Sequence, residues 1–121
     1  MEAIQTLDAV VTELAATLHA SSPLPDWRQV TLYAKYAPDG STAGHDYDYR
    51  LADGSVNQGV SPEAAARQAI RQLTRRHWQL TQQLGQPRWF KLVMQVHHDG
   101  RFSADFEYKD VVQDSDMLAR G

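Results

Sequence analysis

Between Arg88 and Lys109 the chain alternates. Phe90, Leu92, Met94 and Val96 take every second position, Asp99-Gly100 interrupts, and Phe102, Ala104, Phe106 and Tyr108 resume the period. Successive side chains of a strand point to opposite faces, so two such runs joined by Asp-Gly specify an antiparallel hairpin with one apolar face. The Asp-Gly pair suits a tight type I′ turn, which needs positive φ at both central residues. The other face of the second strand carries Ser103, Asp105, Glu107 and Lys109, so whatever meets that side of the sheet meets carboxylates.

The rest of the chain divides by period. Ile4, Leu7, Val11, Leu14 and Leu18 form the stripe of an amphipathic helix from about residue 2 to 20, stopped by Ser21, Ser22, Pro23 and Pro25. Val30, Leu32, Ala34 and Tyr36 alternate with Gln29, Thr31, Tyr33 and Lys35 in a first strand, and Pro38-Asp39-Gly40-Ser41 turns the chain. His45, Tyr47, Tyr49 and Leu51 alternate with Asp46, Asp48 and Arg50 in a second strand, ended by Asp53-Gly54. Ser61-Pro62-Glu63 is a helix opening, in which serine caps free amides, proline fits the first turn and glutamate opposes the positive helix end. That helix should reach about Leu84, burying Ala66, Ile70, Leu73, His77, Leu80 and Leu84, with Gly85 and Pro87 as its stop. Asp110 to Leu118 is a short tail with room for one or two helical turns.

The predicted fold is α+β, one domain over residues 1–121, in the order α-β-β-α-β-β. Helices with one apolar stripe and strands with one apolar face pack most economically as two helices on one face of a four-stranded antiparallel sheet. The other sheet face, carrying Tyr33, Lys35, Asp46, Asp48, Arg50, Gln95, His97, Asp105 and Glu107, would be solvated. The sequence has no cysteine, which excludes disulfides, thiolate metal sites and cysteine nucleophiles. It has no basic, apolar leader and no run near the roughly 18 apolar residues of a membrane span, so a cytosolic, membrane-free protein is expected.

The net charge of −3 conceals segregation. Residues 61–98 carry Arg67, Arg71, Arg75, Arg76, Arg88 and Lys91 against Glu63, whereas 99–121 return to acid with Asp99, Asp105, Glu107, Asp110, Asp114 and Asp116. Segregated charge steers partners. The carboxylates Asp46, Asp48, Asp105 and Glu107 fit partner binding better than acid/base chemistry, because an exposed strand face offers little desolvation to shift a carboxyl pKa. His97 and His98 point to opposite faces, which argues against a shared metal, and His77 reads as a buried, hydrogen-bonded residue. His19 is expected to face solvent, and Trp27 and Trp89, just before strands, to anchor the sheet against a helix. The ridge of Arg67, Arg71 and Arg75 could contact phosphates, but an acidic total and the lack of a reading motif disfavour nucleic acid. No phosphate loop, nucleophile elbow or HExxH occurs. No cofactor or metal ligand set is indicated.

The turn Pro23-Leu24-Pro25-Asp26-Trp27, the strand Val30-Thr31-Leu32-Tyr33-Ala34, the tyrosine-bearing second strand and the ending from His98-Asp99-Gly100-Arg101-Phe102 to Phe106-Glu107-Tyr108-Lys109-Asp110 resemble the YezG-like immunity proteins. The resemblance implies a non-catalytic cytosolic antitoxin, encoded beside a secreted or contact-dependent polymorphic toxin, that covers a toxin domain, often a nuclease. Its candidate toxin-binding residues are Tyr33, Asp46, Asp48, Asp105, Glu107 and Asp110. Tyr47, Tyr49 and Tyr108 are weaker aromatic candidates, since the period places them inward. A small metal- or ligand-binding enzyme using Asp105, Glu107 and His97, and a homo-oligomeric adaptor joining basic helix to acidic strand, are the alternatives. Neither the toxin's identity nor a monomeric or dimeric state follows from the sequence.

Overall fold

The computed structural model describes residues 6–40 and 42–108. Ile4, Ser41, Lys109, the candidate Asp110 and the C-terminal tail lie outside the described residues. The elements are α1 (Leu7–Ala20), β1 (Trp27–Tyr36), β2 (Ala43–Leu51), β3 (Val56–Asn57), α2 (Ala64–Gln83), β4 (Trp89–His97) and β5 (Phe102–Tyr108).

All pairings are antiparallel, and the strands lie in the order β3-β2-β1-β4-β5. The sheet therefore has five strands where four were expected, and the element order is α-β-β-β-α-β-β. Asp53-Gly54 follows the end of β2 as expected, and it also folds the chain back into a further short strand. Leu51 donates its amide to the Ser55 carbonyl at 2.9 Å, Gly54 adopts φ +88°, and Val56 and Asn57 then pair with Arg50 and Tyr49. A two-residue strand shows no period, so pattern alone could not register it.

Asp99-Gly100 uses the same turn, and it is not the type I′ form expected above. Among the described residues only glycines have positive φ, so Asp99 stays in the ordinary region while Gly100, at φ +98°, takes the left-handed one. The amide of His97 donates to the Arg101 carbonyl at 2.8 Å and that of Gly100 to the His97 carbonyl at 2.9 Å, closing a three-residue loop of a type I turn followed by a left-handed glycine.

Thr6 caps α1, its Oγ1 accepting the Ala9 amide at 3.0 Å, with Asp8 near the positive helix end. The second helix opens two residues later than its Ser-Pro-Glu signature suggested. Glu63 occupies the cap position without a side-chain bond, and Arg67 reaches back to donate to the Pro62 carbonyl at 2.9 Å. Its end is as the Gly-Pro signal implied: the Gln86 amide donates to the Thr81 carbonyl, the Gly85 amide to that of Gln82, and Gly85 sits at φ +73°.

Both helices cover one sheet face, where Leu14, Leu18, Ile70 and Trp78 meet Val30, Leu32, Ala34, Tyr47, Tyr49, Leu92, Met94 and Val96. Three side chains depart from the predicted packing. Leu84 lies past the helix and is 57% exposed. Trp78, which the predicted buried stripe of the second helix leaves out, is core, stacked 5.4 Å from Tyr36. A register shift between Trp89 and Lys91 displaces Phe90 from the inward row and turns Trp89 in, to 1% exposure. There the Trp89 indole donates to His77 Nδ1 at 3.0 Å, and the Trp78 indole donates to the Trp89 carbonyl at 3.0 Å. Both donors are thus satisfied inside an apolar cluster, the condition for burying tryptophan without a net cost. His77 is buried and hydrogen-bonded as its helical position suggested, stacked on Phe106 at 4.6 Å.

At the other end of the sheet His19 is exposed as expected, and it is also engaged. Its Nε2 lies 2.8 Å from the His98 carbonyl and its ring meets Trp27 edge-on at 5.4 Å. Trp27 and Trp89 are the first residues of their strands rather than the residues before them.

The loop between β1 and β2 is pressed against α2. Gly40 has φ +75°, and a Cβ there would stand 2.9 Å from two ring atoms of Trp78. Gly40→Ala should therefore combine backbone strain with a clash against a core ring, lowering stability by about 1–3 kcal/mol in urea denaturation. Unchanged stability would mean the loop is not held on the Trp78 ring.

Candidate functional site

Two surfaces of different character flank β2. The first is the sheet face that neither helix covers, open among the described residues. Strand register fixes its rows: Asp48, Thr31, Gln95 and Ser103 lie across the sheet in one row, Asp46, Tyr33, Val93 and Asp105 in the next, and Lys35, Lys91 and Glu107 in a third. The predicted outward residues are thus on this face, but they do not form one acidic patch. Asp46 and Asp48 line one border. Asp105 and Glu107 line the other, three strand spacings or roughly 14 Å away. Between them run Thr31, Tyr33 and Lys35 of β1 and Lys91, Val93 and Gln95 of β4.

Tyr33 is the hub of this middle strip. Burial, together with a hydrogen bond to the Asp48 carboxylate and its negative charge, raises the phenol pKa, so the hydroxyl keeps its proton and donates. Lys35 and Lys91 face each other directly, an unfavourable pairing that Lys91 relieves by leaning diagonally over the Tyr33 ring, 5.9 Å from its centroid. Asp46, Asp105 and Glu107 are exposed, and Tyr33 and Asp48 are half-buried. Thr31, on the same face, is buried between its neighbours.

The second surface is a groove of about 670 Å³ on the free side of β2. β3 pairs only with Tyr49 and Arg50, and the chain then diverges through Gln58–Ser61 towards α2. The gap is closed by Arg67 and Arg71, while Asp46 and Asp48 form its lip towards the sheet face. At its end Thr74 is a hydrogen-bond node. Thr74 Oγ1 donates to the Arg71 carbonyl at 3.0 Å, which spends its one proton, so the Tyr36 hydroxyl at 3.1 Å and His45 Nε2 at 2.8 Å both donate to it. His45 is thereby the Nε2–H tautomer, with Nδ1 left as an acceptor. Burial, and after it the Arg71 charge, pushes the His45 pKa down to about 4.

Tyr47 and Tyr49 are buried, and neither hydroxyl has a hydrogen-bond partner among the described residues. Burial raises both phenol pKa values, and the charges of Arg71 and Arg67 oppose this at Tyr47. Sequence period placed both rings inward but could not show that one hydroxyl would end beside two guanidiniums. The four-residue spacing of Arg67, Arg71 and Arg75 was the available signal, and the missing information was that β2 is exposed along this edge.

Except for the His19–His98 contact, the histidines lie apart. His45 is on Thr74, His97 is in register with Gln29, and His98 Nε2 meets Arg28 Nη1 at 3.1 Å. Among the described residues no group of three or more His, Asp or Glu is placed to hold a metal ion, and no helix is long and apolar enough to cross a membrane. No protein-family model and no curated protein matches the chain. Function must be read from the two surfaces themselves.

His45 and His77 titrate near 6.5 in the unfolded chain and, through burial first of all, only near 4 when folded. Between about pH 6.5 and 4 the unfolded state binds more protons, so stability is complete above that window and falls as pH drops through it. The loss should be on the order of 2 kcal/mol for buried His77, after discounting for residual solvation. His77→Gln keeps an acceptor for the Trp89 indole and removes one titrating group. Its melting temperature should fall less between pH 6.5 and 4 than that of the unaltered protein. Equal slopes would assign the acid sensitivity elsewhere.

Proposed function

We propose that this chain is a non-catalytic immunity protein that binds and neutralises a bacterial toxin domain through its uncovered sheet face. The observation that carries this reading is the arrangement of that face: a strip centred on Tyr33 and Lys91, bordered on both sides by carboxylate pairs. Such a face supports recognition in two ways. An amphipathic ring at the centre supplies contact area at low entropic cost, and rim carboxylates raise the association rate with a basic partner and exclude acidic ones. A nuclease domain is a suitable partner, because a surface that binds nucleic acid is basic. The resemblance to the YezG-like immunity proteins points the same way.

Tyr33, Asp46, Asp48, Asp105 and Glu107 are the residues assigned to the interface, and they divide into two borders that can be tested separately. The experiment is co-expression with the C-terminal domain of the secreted protein encoded next to this gene, followed by measurement of complex formation and cell survival. The double reversal Asp105→Lys/Glu107→Lys should leave stability nearly intact, since exposed substitutions usually cost within about 0.5 kcal/mol, whereas Asp46→Lys/Asp48→Lys also removes the acceptor of the Tyr33 hydroxyl and should cost about 1 kcal/mol more. At least one should slow association more than tenfold and abolish protection. A complex unaffected by both reversals would remove the sheet face as the interface, and absence of any complex or rescue would remove the immunity reading.

A further inference from the structure

The groove behind β2 is not needed for the sheet-face reading, and its chemistry is different. Arg67 and Arg71 stand one helical turn apart, about 6 Å along α2, facing the stretch of β2 that β3 leaves unpaired. Arg67 spends one amino group on the Pro62 carbonyl, whereas the Arg71 guanidinium makes no hydrogen bond or ion pair among the described residues. Between them and the core lies Tyr47, only 6% exposed, with a hydroxyl that has no partner among the described residues. Buried hydroxyls are ordinarily paired; that of Tyr47 is shut off from solvent in a residue that lines the groove, so a ligand oxygen pressed against that wall would give it the partner it lacks. A volume near 670 Å³ lies within the range of small-molecule sites.

We infer that this groove binds a small phosphate-bearing ligand, with the guanidiniums of Arg67 and Arg71 and the hydroxyl of Tyr47 as donors to its phosphoryl oxygens. The Arg71 fork, the Arg67 donors not spent on Pro62 and Ser61 and a hydroxyl make a larger donor set than the two oxygens of a carboxylate call for, and one that matches the three terminal oxygens of a phosphoryl group. The Asp46 and Asp48 lip supports a compact ligand, because a longer polyanion leaving the groove would run into two carboxylates.

The test uses inorganic phosphate and adenosine monophosphate as probes, read by thermal shift and by isothermal titration on the full chain. Both should bind saturably and raise the melting temperature. Tighter binding of the nucleotide would assign a nucleotide site, and equal affinity would assign the phosphoryl group alone. Arg71→Gln should weaken binding at least tenfold. Tyr47→Phe, which removes only the unpaired hydroxyl, should keep the fold by circular dichroism and weaken binding several-fold. No saturable binding of either probe, or affinity unchanged in both variants, overturns the proposal. So does tighter binding of decathymidylate or decaglutamate, which would mark a surface for nucleic acid or for an acidic protein segment. Asp105→Lys/Glu107→Lys, on the border of the sheet face away from the groove, should leave phosphate affinity unchanged, so this site and that border of the toxin interface succeed or fail separately.

Discussion

Two indole hydrogen bonds, one in each direction, tie α2 to the first residue of β4. Trp89 donates to His77 and receives, at its carbonyl, the indole proton of Trp78. The exchange is possible only because the register slips between Trp89 and Lys91, turning the larger ring inward. Tyr36 and Phe106 complete the ring cluster around it. Once α2 is seated in this way, its next face is no longer free to choose a neighbour. Arg67 and Arg71 must lie along the edge of β2, and the Gly40 loop must close over Trp78.

Much of this architecture is legible in the amino-acid order, and the misreadings have definite causes. Alternation identified the four long strands, because one covered face imposes period two on each of them. Threonines concealed part of the second helix: Thr74 and Thr81 are buried, but each satisfies its hydroxyl on a carbonyl three residues back, at 3.0 and 2.6 Å, so polarity gave no sign of burial. Leu84 erred the other way, apolar and in phase but beyond the last turn. Asp-Gly stands in all three turns, at 39-40, 53-54 and 99-100, yet the one followed by only two paired residues was not recognisable as a hairpin. The outward residues of the sheet were placed by period, whereas their division into two borders needed the strand order. The groove required knowing that a two-residue strand covers so little of β2, which no local pattern contains.

The two surfaces share a boundary. Asp46 and Asp48 serve as one border of the sheet face and as the lip of the groove, and Tyr33 leans towards both through its bond to Asp48. Positive charge on the groove side and negative charge on the sheet side are held apart by a single strand. That separation explains how a chain of net charge −3 can display an arginine ridge without neutralising it internally.

β1 is hydrogen-bonded on both sides along most of its length, whereas among the described residues β5 has a partner only in β4, and Phe102 and Tyr108 are 40% and 49% exposed on its helix-facing side. Free energies of local opening follow such differences in pairing and burial. The middle of the sheet is therefore a stiff rule against which Tyr33 and Lys91 hold their spacing, and the Asp105–Glu107 border is a compliant margin. A partner seated on this face would meet a rigid centre first and could draw the margin to its own contour afterwards, so that shape is judged at the centre and charge is fitted at the rim.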